Sequence, residues 1–131
     1  MKIVEDAIMG EKSKRNGTVL VVDDEERILR FLNISLKAAG YHVITAATGE
    51  KALDLAQVDR PDIVILDVFL PGIDGFEVLQ KLRTFSQVPV IMISARDSLG
   101  PNALGQGATD FLAKPFKPEQ LVQRIKDILE K

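Results

Sequence analysis

The sequence predicts an open α/β sheet, doubly wound, with helices on both faces. Three observations carry that prediction. Three short apolar runs, TVLVV (18–22), DIVIL (62–66) and VPVIMI (88–93), are continuous rather than alternating and rich in β-branched residues, as suits parallel strands buried on both faces. Segments with helical spacing separate them, so that strand and helix alternate five times along the chain; such alternation builds right-handed crossovers onto one sheet. Each apolar run also ends in a polar residue, most sharply in VLVVDDEER (19–27), where a strand runs straight into four consecutive acids. That stretch sets the functional question: why would a fold bring this much negative charge to the end of a buried strand?

Taken in order, residues 1–17 hold mixed charge and a Lys-Arg-Asn-Gly run and read as a flexible N-terminal extension, leaving 18–131 as one domain. After the first strand, Ile28, Phe31, Leu32, Ser35, Leu36 and Ala39 make one helical face that stops at Gly40. His42 to Ala46 is a weaker strand, and His42 reads as a strand residue near the sheet edge. Thr48 is a plausible N-cap for the helix carrying Ala52, Leu53 and Ala56, while Asp74 with Glu77 resembles a capping box ahead of Phe76, Leu79 and Leu82. The segment SLGPNALGQGA (98–108) is the weakest helix: interior glycines at 100 and 105 cost ~1 kcal/mol each against alanine, and Pro101 fits only a first turn. A short or irregular fourth helix starting near Pro101 is therefore expected. Thr109 to Ala113 is the fifth strand, and Leu121, Val122, Ile125, Ile128 and Leu129 form the last amphipathic helix, entered through Pro118.

Composition narrows the function classes. At 131 residues, 46% hydrophobic and 27% charged, the chain has the makings of one globular domain with a real core. A net charge of −2 provides no basic footprint for nucleic acid or anionic lipid, so direct DNA binding by this domain is not expected. The absence of cysteine excludes disulfides and thiolate metal sites, and the single histidine excludes multi-histidine sites. No apolar run approaches the roughly 20 residues of a membrane span, and the N-terminus does not read as a signal peptide. A cytoplasmic protein is the expectation.

In a parallel α/β sheet, ligands bind outside the carboxyl ends of the strands, where neighbouring connections leave in opposite directions. The unusual residues lie there: Asp23 and Asp24 after the first strand, Asp67 after the third, Ser94 after the fourth and Lys114 after the fifth. With strand order 2-1-3-4-5 the first and third strands are neighbours and the three aspartates converge. Each residue alone has an ordinary explanation: Asp24 as a helix cap, Asp67 as the opening of a turn with Pro71 and Gly72, Lys114 as a solvated loop lysine. Together they pose a repulsion that a divalent cation would relieve. Hard oxygen ligands favour Mg2+, commonly held by a few carboxylates plus a phosphate. A lysine and a hydroxyl suit phosphoryl oxygens, and Asp67 could serve as a carboxylate nucleophile forming an acyl phosphate.

The ordered set VVDDE, ILDVFLPGIDGFEVL, VPVIMISARD and GATDFLAKPF resembles the receiver domain of two-component response regulators from Thr18 to the end of the last helix. That resemblance implies a flavodoxin-like fold with five parallel strands and five helices. It further implies that Asp67 is the phosphoacceptor for a sensor histidine kinase or phosphotransfer protein. Mg2+ would be held by Asp24 and Asp67 directly, by Asp23 mainly through water, and by the backbone carbonyl of Phe69. Ser94 matches the switch hydroxyl, Phe111 the aromatic that turns inward with it, Lys114 the lysine that pairs with the phosphoryl group, and Lys114–Pro115 a cis peptide. The output would be a population shift of the face around the fourth and fifth elements, acting on an output domain or downstream protein not visible in this sequence. Phe69, two residues after Asp67, offers no amide or acid to orient an attacking water, so a long-lived phosphoryl group is expected.

The segment after Ser94 departs from the family in being short and glycine-rich, which puts the usual dimer geometry in doubt. Asp110 and Arg124 match positions that pair across the dimer in winged-helix regulators; two solvated surface charges are the equal alternative. Two other functions compete. A phosphorylation-independent receiver-like module would keep the fold but typically lacks one of the acids, the lysine or the hydroxyl, and all five positions are filled here. A phosphatase of the haloacid-dehalogenase type would place a second acid two residues after its nucleophile, where Phe69 stands. The signal, cognate kinase, regulated genes and oligomeric state are not written in the sequence.

Overall fold

The three continuous apolar runs become the three interior strands. In the computed structural model, which describes residues 16–130, β1 (Thr18–Val22), β3 (Ile63–Asp67) and β4 (Val90–Ser94) lie between the edge strands β2 (His42–Ala46) and β5 (Asp110–Ala113). The order is β2-β1-β3-β4-β5 and every pairing is parallel. β3 and β4 are buried at every position, whereas β2 and β5 alternate or are only half covered. Sequence and position agree for a physical reason: an interior strand has a helical layer on each face and no polar side, while an edge strand keeps one partly wet. His42 is exposed on edge strand β2.

Successive residues of each interior strand feed two separate cores. Val19, Val21, Ile63, Ile65, Ile91 and Ile93 pack with Leu32 and Leu36 of α1 (Glu26–Ala38) and with Leu121 and Ile125 of α5 (Pro118–Leu129). Leu20, Val22, Val64, Leu66 and Met92 face the opposite way, onto α2 (Gly49–Asp59), α3 (Gly75–Leu82) and α4 (Gly100–Gly105). This is the doubly wound, flavodoxin-like arrangement. No helix among the described residues is long and apolar enough to cross a membrane. Of the expected extension, residues 1–15 lie outside the described residues. Asn16 and Gly17 are tied to the fold: the Asn16 side chain donates to the Ala39 carbonyl at 2.9 Å, and the Gly17 carbonyl accepts from the His42 amide.

Local signals and structure differ at Phe31 and Glu77 and agree in the short, irregular helix after Ser94. Phe31 is 49% exposed, because the sheet contact of α1 runs through Leu32 and Leu36 and leaves Phe31 on the flank. Asp74 caps α3 by accepting from the Glu77 amide at 3.0 Å, but the Glu77 side chain does not return the bond and instead lies 4.0 Å from Lys81, the i,i+4 partner it meets on the helix surface. The segment after Ser94 forms a 3-10 turn (Asp97–Leu99) followed by the six-residue α4, with Pro101 in its first turn. The glycine that shortens this helix also permits packing, since a Cβ on Gly100 would sit 3.3 Å from the Phe111 ring.

The C-terminal end of α4 is anchored where its start is not. Arg83, just beyond α3, donates to the carbonyls of Ser86 (3.2 Å), Val88 (2.8 Å) and Gly107 (3.1 Å), tying the α3–β4 loop to the turn after α4. Replacing Arg83 by Met should leave these partly buried acceptors short of a donor and lower stability by about 1–3 kcal/mol. Urea unfolding checks this, and an unchanged midpoint would show that water replaces the guanidinium without loss.

Candidate functional site

The register of the sheet brings its polar strand ends into one crevice. Val22 pairs with Leu66, Asp67 with Ile93 and Ser94 with Ala113, so Asp23, Asp67, Ser94 and Lys114 leave adjacent strands at the same end. The connection after β1 goes to α1 on one face, while that after β3 goes to α3 on the other. The strand ends between them therefore open as a cleft. Asp23, Asp24 and Asp67 each place a carboxylate oxygen within 4.8 Å of the others. Asp23 is fully buried and Asp67 nearly so, whereas Asp24 is exposed.

One cation answers this cluster. Lys114 Nζ donates to Asp23 Oδ2 at 2.9 Å and lies 3.5 Å from Asp67 Oδ2 and 3.7 Å from Glu25 Oε1. Burial alone would lower the lysine's pKa, but the hydrogen bond to Asp23 and the charges of Asp23, Asp67 and Glu25 outweigh it and raise the value. Asp23 Oδ1 also accepts from the Glu25 amide at 2.9 Å, which fixes its orientation. Asp67 is pushed up to about 6, first by burial and then by the Asp23 charge. The Lys114 charge and hydrogen bonds from the Phe69 amide and Lys114 counter only part of this. Three carboxylates and one lysine leave net negative charge in a partly buried cleft. An all-oxygen donor set of this kind fits a hard divalent cation.

Around the carboxylates, the other residues take distinct positions. Ser94 is fully buried, and its hydroxyl accepts from the Arg96 amide at 3.0 Å. Phe111 is half-buried on β5, against Gly100. The Lys114–Pro115 peptide is cis. Asp110 and Arg124 pair within the chain at 2.9 Å, and Arg124 also donates to the Phe111 carbonyl at 3.1 Å. Phe69 is half exposed, with the Arg96 guanidinium 5.5 Å from its ring centroid.

Three contributors escape a reading of the sequence. Glu25, within the acidic run, turns back to Lys114. Arg96 reaches across to Phe69. Gly75, the first residue of α3, is a close-approach site: its amide donates to the Val68 carbonyl at 2.7 Å, and a Cβ there would collide with the Asp67 carbonyl oxygen. The Asp-Gly pair at the start of α3 was the available signal for Gly75. Nothing local marks Glu25 or Arg96, because their partners lie on other loops.

Comparison with known proteins places this geometry. The chain matches the family model "Response regulator receiver domain" over residues 19–126. It is 44% identical over 119 residues to the alkaline phosphatase synthesis transcriptional regulatory protein PhoP of Bacillus subtilis (strain 168), an alignment covering 88% of this chain and 50% of that protein. The chain spans about half the length of the curated relatives it matches. Among solved structures, the Francisella response regulator 1452 receiver domain superposes with a TM-score of 0.83 at 31% identity, covering 87% of this chain and 97% of that one. The chemotaxis response regulator CheY4 of Vibrio cholerae gives 0.79 at 38% identity, with 85% and 97% covered.

The electrostatics of the cleft make a pH-dependent prediction. In metal-free protein the folded pKa of Asp67 lies above its ordinary value, so its ionised form costs stability. The cost is absent below about pH 4, grows as pH rises through the folded value and is complete above it. Asp67→Asn keeps the shape and removes the charge. With chelator present, the variant should be more stable than wild type at about pH 7.5, by on the order of 2 kcal/mol, with the gap closing toward about pH 4.5. Paired thermal melts at the two pH values check this; a pH-independent gap would rule out burial of the charge as its source.

Proposed function

The chain belongs to the response regulator receiver domain family, and from that premise we propose that Asp67 accepts a phosphoryl group from a phosphohistidine on a sensor kinase or phosphotransfer protein. The observation that carries the proposal is the convergence of Asp23, Asp24 and Asp67 on one cleft with Lys114 Nζ set between Asp23 and Asp67. An Asp67 oxygen forms the new P–O bond as the P–N bond to the donor imidazole breaks, in line with the departing nitrogen. Asp23, Asp24, Asp67 and the Phe69 carbonyl would hold Mg2+, which when bound supplies charge neutralisation between the carboxylates and the phosphoryl oxygens.

The remaining steps belong to the chain's own side chains. Lys114 offers a compact positive charge to a phosphoryl oxygen, in exchange for part of its contact with Asp67. Ser94, whose oxygen accepts from the Arg96 amide, still has its own hydroxyl hydrogen to donate to the phosphoryl group. Phe111 shares its packing with Gly100 at the start of α4, so a shift of the Ser94 loop and a rotation of Phe111 favour the same rearranged α4–β5–α5 face. A phosphorylation-independent module has no support in a site whose five chemical positions, Asp23, Asp24, Asp67, Ser94 and Lys114, are all filled.

The domain is a signalling domain, and its switching would control an output domain or downstream partner in the cytoplasm, with homodimerisation through the rearranged face as one route. Its full-length relatives include a transcriptional regulatory protein, which supports gene control as the output. Incubation with acetyl phosphate and Mg2+ should add one phosphoryl group by intact mass. The gain should vanish with chelator and in Asp67→Asn. No gain in wild type under donor excess would overturn the proposal.

A further inference from the structure

An apolar stripe on α1 has no place in the site described above. Phe31, Ile34, Ser35 and Ala38 follow one another at i, i+3, i+4 and i+7 and so share one face of the helix. Leu32 and Leu36 take the contact with the sheet, which leaves this stripe on the flank: Ile34 is 68% exposed, and Phe31 and Ala38 are exposed with it. Beside the stripe, toward α5, lies a hollow of about 400 Å³ lined by Ser35, Ala38 and Ala39 of α1 and by Pro118 and Val122 of α5. The chain enters the described fold at its rim. The Asn16 amide donates to the Gly40 carbonyl at 3.2 Å, and its side chain donates to the carbonyl of Ala39, a residue that lines the hollow.

The residues that precede Asn16 carry a matching pattern. In MKIVEDAIMG (1–10), Ile3, Val4, Ala7 and Ile8 recur at i, i+1, i+4 and i+5, one side of a helix, with Lys2, Glu5 and Asp6 on the other and Gly10 as a stop signal. We propose that residues 3–9 dock as a short amphipathic helix on the α1–α5 flank, setting Ile3, Val4, Ala7 and Ile8 against Ile34, Ser35, Ala38 and Val122. The stripe from Phe31 to Ala38 is about 10 Å long, well short of the roughly 800 Å² per partner that a stable dimer buries. A tethered segment fits it better than a second copy does. The link from Gly10 to Arg15 spans up to about 20 Å when extended, which reaches the hollow from Asn16. A link this short also holds the segment at roughly millimolar effective concentration, so burial of a few apolar side chains is enough to seat it. The docked segment withdraws Ile34 and Ala38 from water and makes a structural part of the domain from residues whose composition alone suggests a free extension.

The chain has no cysteine, which makes cross-linking a clean test in the full chain. Ala7→Cys is paired with Ala38→Cys, and in a control with Val58→Cys, a position 78% exposed on α2 across the sheet. Both pairs are oxidised with glutathione disulfide, and the free thiols are trapped at intervals and counted by intact mass. The bond within one chain should form at least about tenfold faster to position 38 than to position 58, at a rate independent of protein concentration. Adding Ile3→Asp and Ile8→Asp should remove that preference. Hydrogen exchange gives a second reading: in Ile3→Asp/Ile8→Asp, the amides of residues 35–39 and 118–123 should exchange faster than in the unsubstituted chain. Equal rates at the two positions, a preference that survives the two aspartates, or unchanged exchange would each overturn the proposal. Linkage between chains, at a rate that climbs with protein concentration, would overturn it in favour of a second copy.

Discussion

The ion pair between Lys114 and the buried carboxylates of Asp23 and Asp67 is the constraint on which the cleft depends. Two acids on adjacent interior strands are withdrawn from water, and a third stands beside them at the rim. One ammonium, delivered from edge strand β5, contacts both buried carboxylates. The balance is incomplete, as the raised pKa of Asp67 records. A buried surplus of negative charge of this kind costs stability in the resting chain and creates affinity for a cation that can complete it. The acids tolerated at the end of β1 make sense as half of an unfinished electrostatic cluster.

The rest of the architecture holds that cluster in place. Interior strands buried on both faces leave no freedom of register, since a slip by one residue would turn each apolar side chain into the wrong core. The polar ends of β1, β3 and β4 are thus aligned by the packing of residues well below them. Gly75 completes the arrangement from the helical side by letting the start of α3 press against the Asp67 and Val68 backbone. The Asp67 carboxylate is consequently set at the end of a buried interior strand, with Phe69 and Arg96 on the loops beside it.

Those loops divide the α4 region into a held end and a loose end. Arg83 ties Gly107 to the α3–β4 loop, and the Thr109 hydroxyl accepts from the Val90 amide at 3.0 Å, so the exit of α4 is well anchored. Its entry is a 3-10 turn with no side-chain cap and an exposed surface. Arg96 and Gly100 lie on this side, just after the buried end of β4 at Ser94, and a Cβ on Gly100 would meet the Phe111 ring. The uncapped entry is the end of the helix that follows Ser94 and the carboxylate cleft.

The sequence by itself determined the strand and helix alternation, the interior or edge status of each strand, the weakness of the fourth helix and the candidate acids, hydroxyl and lysine. These rest on local signals: continuous apolar runs at 18–22, 62–66 and 88–93, glycines at 100 and 105, and polar residues at strand ends. Only the tertiary structure decided that Lys114 bridges Asp23 and Asp67, that Glu25 joins them, that Arg96 crosses to Phe69, that Phe31 sits on the flank of α1 and that Gly75 abuts Asp67. Each of these is a distance between groups far apart in the chain or on separate loops, and periodicity carries no information about such distances. They are set by how the two cores pack against the sheet, because strand register and helix placement fix which loops end up side by side.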